Sequence, residues 1–212
     1  MPAIVAEGSD KNAEKTVDKK QVTRKRTIDK WKKKSWYTVF APKEFDRKEL
    51  GTTVAEKPQS VEGRVFEISA RTLSGDIKKS HITLIFKIDE VKGNKAYTQS
   101  IGHEVKDSYL RKFVRRRNAK IEVIKFVETK DNVKVKVKAM VLTSNRIERK
   151  KRTAIRKIMS EKIESAAKSL ETQQLVSELV FGNLPQKIFN DAKKVGPIKR
   201  VEITKSRILS KK

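Results

Sequence analysis

The sequence predicts an α+β fold. Its expected core is a β-barrel of about six or more strands, with a short inserted helix, a helical C-terminal region and a final strand. Three observations carry this reading. VKVKVKAMVL alternates apolar and charged residues with the period of a strand. Apolar residues from Ile155 onward recur instead at helical spacing. IKRVEITKSRI, rich in β-branched residues, follows the last helical pattern.

Residues 1–27 contain few sizeable apolar side chains (Ile4, Val5, Val17 and Val22), too few to offset the entropy of ordering the chain. They are expected to form a disordered, basic arm. A β-barrel body is expected over 28–142, and a helical region with a final strand over 143–212. SWYTVFA is an aromatic and β-branched strand that stops at Pro42. GRVFEIS is a second. HITLIFKIDEV and KAYTQSIGHEV form a hairpin about Gly93-Asn94. AKIEVIKFVE and VKVKVKAMVL form another about TKDN. In the latter, Val133, Val135, Val137, Ala139 and Val141 wall a core, with Lys134, Lys136 and Lys138 outside. Frequent turns between short strands suggest a barrel or a strongly curled sheet.

Between the hairpins, DSYLRKFVRRRNAK predicts a short helix capped by Asp107 or Ser108, with Tyr109, Leu110, Phe113 and Val114 inward. The carboxyl-terminal third adds a helix striped by Ile155, Ile158, Met159, Ile163, Ala166 and Leu170. TQQLVSELVF stops at Gly182, and PQKIFNDAKKV starts at Pro185 and stops at Gly196-Pro197.

The chain of 212 residues has 52 Lys and Arg against 26 Asp and Glu, a formal charge of +26. Charge of that size is most simply balanced by a polyanion such as nucleic acid. It falls in four clusters. The first is Lys30, Lys32, Lys33 and Lys34 around Trp31 and Trp36; the second is Arg115, Arg116, Arg117 and Lys120. The third, from Asn145 to Lys157, contains Arg146, Arg149, Lys150, Lys151, Arg152 and Arg156; the fourth is C-terminal and includes Lys199, Arg200, Lys205 and Arg207. On a helix, Arg149 to Arg152 spread around most of the circumference, so that helix start is expected to project from the core towards a polyanion. A solvated helix start is the plainer alternative. Guanidinium forks suit RNA phosphates and exposed bases. Trp31 could serve as a stacking platform or close the barrel end, and Trp36 is expected to face inward with the lysines outward. Arg64 is read equally as a structural ion-pair partner or a phosphate contact.

Without cysteine, disulfides, thiolate zinc sites and cysteine nucleophiles are excluded. Neither His81 nor His103 comes with metal-ligand spacing, and no nucleotide-binding or nucleophile-elbow motif is present. Neither an enzyme nor a cofactor is expected, nor a membrane span, since no apolar run approaches the required length. The start of the chain lacks the basic cap and apolar stretch of a secretion signal, so a cytoplasmic location is expected. Helix-turn-helix, RNP and KH signatures are absent, which favours recognition of folded RNA by backbone and shape over reading of a base sequence. A DNA-binding or transcription-associated basic protein is the alternative, with an RNA-processing enzyme as a further rival.

KKSWYTVFAPKEF, then LGTTVA, then VEGRVFEIS followed by GD, together with the basic RKK…IRKIM helix and PQKIFNDAKKVGPI, are similar to one family in this order. The chain resembles the archaeal and eukaryotic small-subunit ribosomal proteins called S-three-A-e (or S-one-e). Where that family usually has S-L-x-D-L, this chain has SARTLSGDI, and it lacks the longer carboxyl extension of eukaryotic members, which points to an archaeal source. The resemblance implies a β-barrel body that binds small-subunit rRNA on the platform, near the mRNA exit. It also implies neighbouring ribosomal proteins as partners, with messenger RNA or initiation factors as further candidates, and no catalysis.

Overall fold

The structure is a computed structural model describing residues 31–211, with side chains as far as Leu209. The expected arm at 1–27 lies outside the described residues. Residues 33–212 form one compact unit; Trp31 and Lys32 fall outside it.

The described strands are β1 (Ser35–Phe40), β2 (Glu49–Ala55), β3 (Val65–Ser69), β4 (Ile82–Lys92), β5 (Lys95–Val105), β6 (Lys120–Glu128), β7 (Val133–Thr143) and β8 (Ile198–Lys211). The helices are α1 (Ala70–Ser74), α2 (Asp107–Phe113), α3 (Arg149–Ser169), α4 (Thr172–Phe181) and α5 (Leu184–Lys193). This is the mixed α+β fold the sequence predicts.

The alternation in β7 holds through its first half, with Lys138 half-buried and both faces buried from Ala139 onward. Val133, Val135, Val137, Ala139 and Val141 are buried, while Lys134 and Lys136 are exposed. β6 pairs with β7 as the expected antiparallel hairpin. On the other side of β7 lies β8, also antiparallel, and its register slips three times. Lys199, Thr204 and Leu209 are the extra residues of three bulges, each of which shifts the inward-facing set by one. That is why the alternation of IKRVEITKSRI looks imperfect in sequence.

β5 holds the sheet together. One of its edges pairs with β4, which in turn pairs with β3. The opposite edge is shared: Lys95–Tyr97 run parallel to β1, whereas Gly102–Glu104 run antiparallel to β8. Between these two stretches the Gln173 side chain of α4 fills the gap. Its Oε1 accepts the Ser100 N–H at 3.3 Å and its Nε2 donates to the Ser100 carbonyl at 3.5 Å. The resulting order is β2-β1-β5-β8-β7-β6, with β4 and β3 branching from β5. β2, β3 and β6 each have one neighbour, and no ladder among the described residues joins these edges. Of the barrel or strongly curled sheet that was expected, the described strands form an open, forked sheet, because β5 divides one edge between β1 and β8.

The largest apolar cluster lies under β6, β7 and β8, where Ile155, Met159, Ile163 and Ala167 of α3 pack with Leu175 and Leu179 of α4 and Ile188 of α5. Smaller clusters centred on Leu84 and Phe86, and on Val39 and Ile88, fill the other branch.

Three local expectations are corrected. Lys106, not Asp107 or Ser108, occupies the cap position of α2, with no side-chain cap bond. Val114 lies past the end of that helix in extended conformation and is exposed. Trp36 points outward and is 61% exposed, since Tyr37 and Val39 take the inward phase of β1.

Candidate nucleic-acid interface

Thr143, fully buried, brings distant basic segments together. Its hydroxyl accepts the Ala119 N–H at 3.0 Å and donates to the Asn145 carbonyl at 2.6 Å, and its own N–H donates to the Ala119 carbonyl at 3.1 Å. The next residue, Ser144, donates its N–H to the Pro197 carbonyl at 2.9 Å. The entry to β6, the exit from β7 and the entry to β8 are thereby stitched at one end of the sheet. Arg115, Arg116, Arg117 and Lys120 precede or open β6. Arg146 and Arg149 follow β7, and Lys199 and Arg200 open β8. The second and third clusters, with Lys199 and Arg200 of the fourth, share this basic pole.

Arg115, Arg116 and Arg117 are all exposed, and Arg117 takes the left-handed conformation (φ 72°) that turns the chain towards β6. Lys120 is partly committed elsewhere, with Nζ 2.6 Å from Glu122 Oε1. That hydrogen bond, more than the neighbouring Lys138 charge, holds the Glu122 carboxyl below the usual carboxylate range.

The basic run is helical from Arg149, so the first turn of α3 carries three exposed cations and no acid. Positive charge there opposes the helix dipole, whose amino-terminal end favours anions. A phosphate at this position would be attracted by both the cations and the free N–H groups. Arg152 differs from its neighbours: it is half-buried and its Nε donates to the Ile147 carbonyl at 2.8 Å. The helix start is thus basic and open on the Arg149, Lys150 and Lys151 side, and anchored at Arg152. Arg156, one turn on, is exposed.

Arg200 is a strut. Its Nε lies 2.6 Å from Glu202 Oε1, its guanidinium stands 4.4 Å from the Phe113 ring centroid, and it donates to the Tyr109 hydroxyl. His81 stacks on Tyr109 with centroids 3.6 Å apart. This stack fastens α2 to β8 and so fixes where the Arg115–Arg117 segment emerges. Burial is the leading cause both of the lowered His81 pKa and of the raised Tyr109 pKa.

The remaining candidates lie elsewhere. Arg64 sits in the other branch. Its NH1 group donates to Thr53 Oγ1 at 2.7 Å and the Val54 carbonyl at 3.0 Å, and its Nε to the Ser60 carbonyl at 2.8 Å. Its fork ties β2 to the following turns, and neutral oxygens take the place of the expected acid. Lys33 and Lys34 precede β1, which starts beyond the Lys95 end of β5, while the pole lies beyond the Val105 end. Eleven strand residues separate the two by about 36 Å at ~3.3 Å each. Trp31 and Lys32 are exposed, and Lys30 is outside the described residues.

Sequence reasoning missed Ile124 and Phe126, exposed apolar residues of β6. The signal was available: both share the phase of Lys120, Glu122 and Glu128, apolar residues in the polar register of the strand. Among the described residues no three His, Asp or Glu side chains form a metal-binding group, and no helix is long and apolar enough to cross a membrane.

The model of the Ribosomal S3Ae family matches residues 22–212. Small ribosomal subunit protein eS1 of Methanocaldococcus jannaschii is 43% identical over 182 residues, 86% of this chain and 82% of that protein. The eS1 protein of Methanobrevibacter smithii is 37% identical over 191 residues, covering 90% of this chain and 99% of the relative. That of Staphylothermus marinus is 40% identical over 181 residues, 85% of each. These relatives are archaeal, and the family is one of ribosomal proteins, not of enzymes. On a family match spanning nearly the whole chain and relatives at about this level of identity, the chain belongs to the Ribosomal S3Ae family.

Proposed function

We propose that this protein is a structural constituent of the small ribosomal subunit that binds folded rRNA through phosphate backbone and shape, using the basic pole as its principal contact. The observation that carries this reading is the convergence of Arg115–Arg117 with Arg146 and Arg149–Lys151 through the Thr143 staple. A cationic surface with no base-reading element suits a folded RNA of fixed shape. The exposed cations Lys33 and Lys34, at the far end of the sheet, provide a second contact about 36 Å away. The resemblance supports a place on the platform near the mRNA exit, in the cytoplasmic ribosome. Neighbouring small-subunit proteins are its expected partners there, with messenger RNA or an initiation factor as further ones.

The test is sedimentation of a cell lysate at high and low magnesium. The protein should travel with the intact small subunit and leave it only as the rRNA unfolds. A soluble pool that never enters the particle would refute the reading, and equal affinity for duplex DNA and structured RNA at one salt concentration would favour a DNA-binding protein instead.

A further inference from the structure

The side of β6, β7 and β8 that faces away from α3 is open over much of its area. Direct cross-strand partners share a face of a sheet, which defines its rows. One row runs Phe126–Lys136–Arg207, and the next runs Ile124–Lys138–Lys205. Phe126 is 61% exposed and Ile124 53%, and Leu209, the bulge residue of β8, is 50% exposed. The Lys136 ammonium stands 5.5 Å from the Phe126 ring centroid. Neither Lys136 nor Arg207 has an acid within ion-pair distance among the described residues, whereas Lys134, Lys138 and Lys205 are bound to Glu128, Glu122 and Glu104. Beside the ring, round the edge of β6 towards α3, a groove of about 770 Å³ is lined by Phe126, by the cations Lys130, Lys134 and Lys168, and by the acids Glu128 and Glu164.

We infer that this face binds a single-stranded RNA segment, with one unpaired base stacked on Phe126 and its flanking phosphates on Lys136 and Arg207. Every base presents a π-face, so an exposed ring accepts any of them, and adjacent cations hold the backbone. The row from Phe126 to Arg207 spans about 10 Å at the usual strand spacing, so one seated base leaves both cations beneath the chain it belongs to. Charge decides against an apolar peptide, and the exposed Phe126 ring favours a base over an acidic side chain. An apolar partner laid over this row would strip water from two cations that have no acid to meet, whereas a polyanion neutralises both. The surface ion pairs at the rim hold little energy and exchange readily for phosphate. The choice of RNA as partner rests on the function proposed above, but the surface is separate from the basic pole and takes an unfolded strand.

The experiment uses the full chain and an eight-nucleotide single-stranded RNA carrying one 2-aminopurine. Phe126→Leu keeps the apolar bulk and removes the ring; Phe126→Trp restores a larger one. Wild type and Phe126→Trp should quench 2-aminopurine. Phe126→Leu should bind about tenfold more weakly without quenching, and with an unchanged salt slope, because stacking displaces no counterions. Equal urea midpoints for Phe126→Leu and wild type would confirm that both are folded. Affinity for a folded rRNA fragment should be insensitive to Phe126→Leu and sensitive to alanine at Arg115–Arg117, so failure of the pole and failure of this face are read separately. Equal oligonucleotide affinity and equal quenching in wild type and Phe126→Leu would overturn the inference.

Discussion

His103 is fully buried between β5 and β8, and both ring nitrogens are engaged. Nδ1 lies 2.7 Å from Ser206 Oγ and Nε2 3.1 Å from the Ile203 carbonyl, so Nε2 is a donor, and in the neutral ring that burial favours Nδ1 accepts from the Ser206 hydroxyl. Ser206 Oγ also accepts the His103 N–H at 3.1 Å. Burial lowers the His103 pKa from 6.5 to about 4, against smaller raising effects of the Ile203 carbonyl and Glu104. Glu104 itself is bound by Lys205 at 2.7 Å. In the unfolded chain the ring protonates near pH 6.5, while in the folded chain it resists until about 4. Stability from this residue is complete above the higher value and is lost as pH falls towards the lower one, by about 3 kcal/mol in all. Urea unfolding between pH 7.5 and 4 should show this loss in wild type and lack it in His103→Gln, a comparison that cancels the carboxylates common to both. The neighbouring Gly102 lets the strands approach: a Cβ there would meet the Ser206 carbonyl oxygen at 2.1 Å. Gly102→Ala should cost about 2 kcal/mol or more, read as a lowered urea midpoint. The lack of metal-ligand spacing already argued from sequence against a catalytic or ligating His103. Its partners were hidden, because Ser206 lies a hundred residues away and is placed by a bulged strand.

The elements divide by how local their signals are. β7 and α4 were readable because VKVKVK alternates strictly after a turn and α4 keeps a helical period up to Gly182. β2 carries no alternation, as most of its residues are half-buried, and β8 hides its phase behind three bulges. Trp36 was misassigned because an aromatic residue at a strand start fits either phase, and Tyr37 beside it took the core. In α3 the apolar stripe was legible while the fate of the basic start was not. The structure separates its cations: Arg149, Lys150 and Lys151 are exposed, and Arg152 is bonded to Ile147. Alanine at the first three should leave thermal stability of the free protein unchanged or raise it by a few tenths of a kcal/mol, since their charges oppose the dipole. Arg152→Ala should lower it by about 1 kcal/mol through the lost hydrogen bond. Thermal melts of the two variants side by side check this, and the reverse order would mean that Arg152 is no anchor.

At the scale of the molecule, composition announced a polyanionic partner but could not say where it sits. A charge of +26 is a sum, and four clusters in sequence could have formed one patch or four. The topology decides: reversal of the chain through β6 and β7, and the return of β8, collect the second and third clusters with Lys199 and Arg200 of the fourth at one end, while the first begins β1 at the other. Contacts at both ends, as proposed above, would let a single protein bridge separate parts of a folded RNA. The most direct measurement is the salt dependence of affinity for a small-subunit rRNA fragment. In wild type the log–log slope should lie at roughly −4 to −8. With Arg115, Arg116, Arg117, Arg149, Lys150 and Lys151 changed to alanine in a protein that still melts cooperatively, it should flatten by about 0.7–0.9 for each phosphate contact removed. An unchanged slope in that variant would contradict the assignment of the pole as the RNA-binding surface.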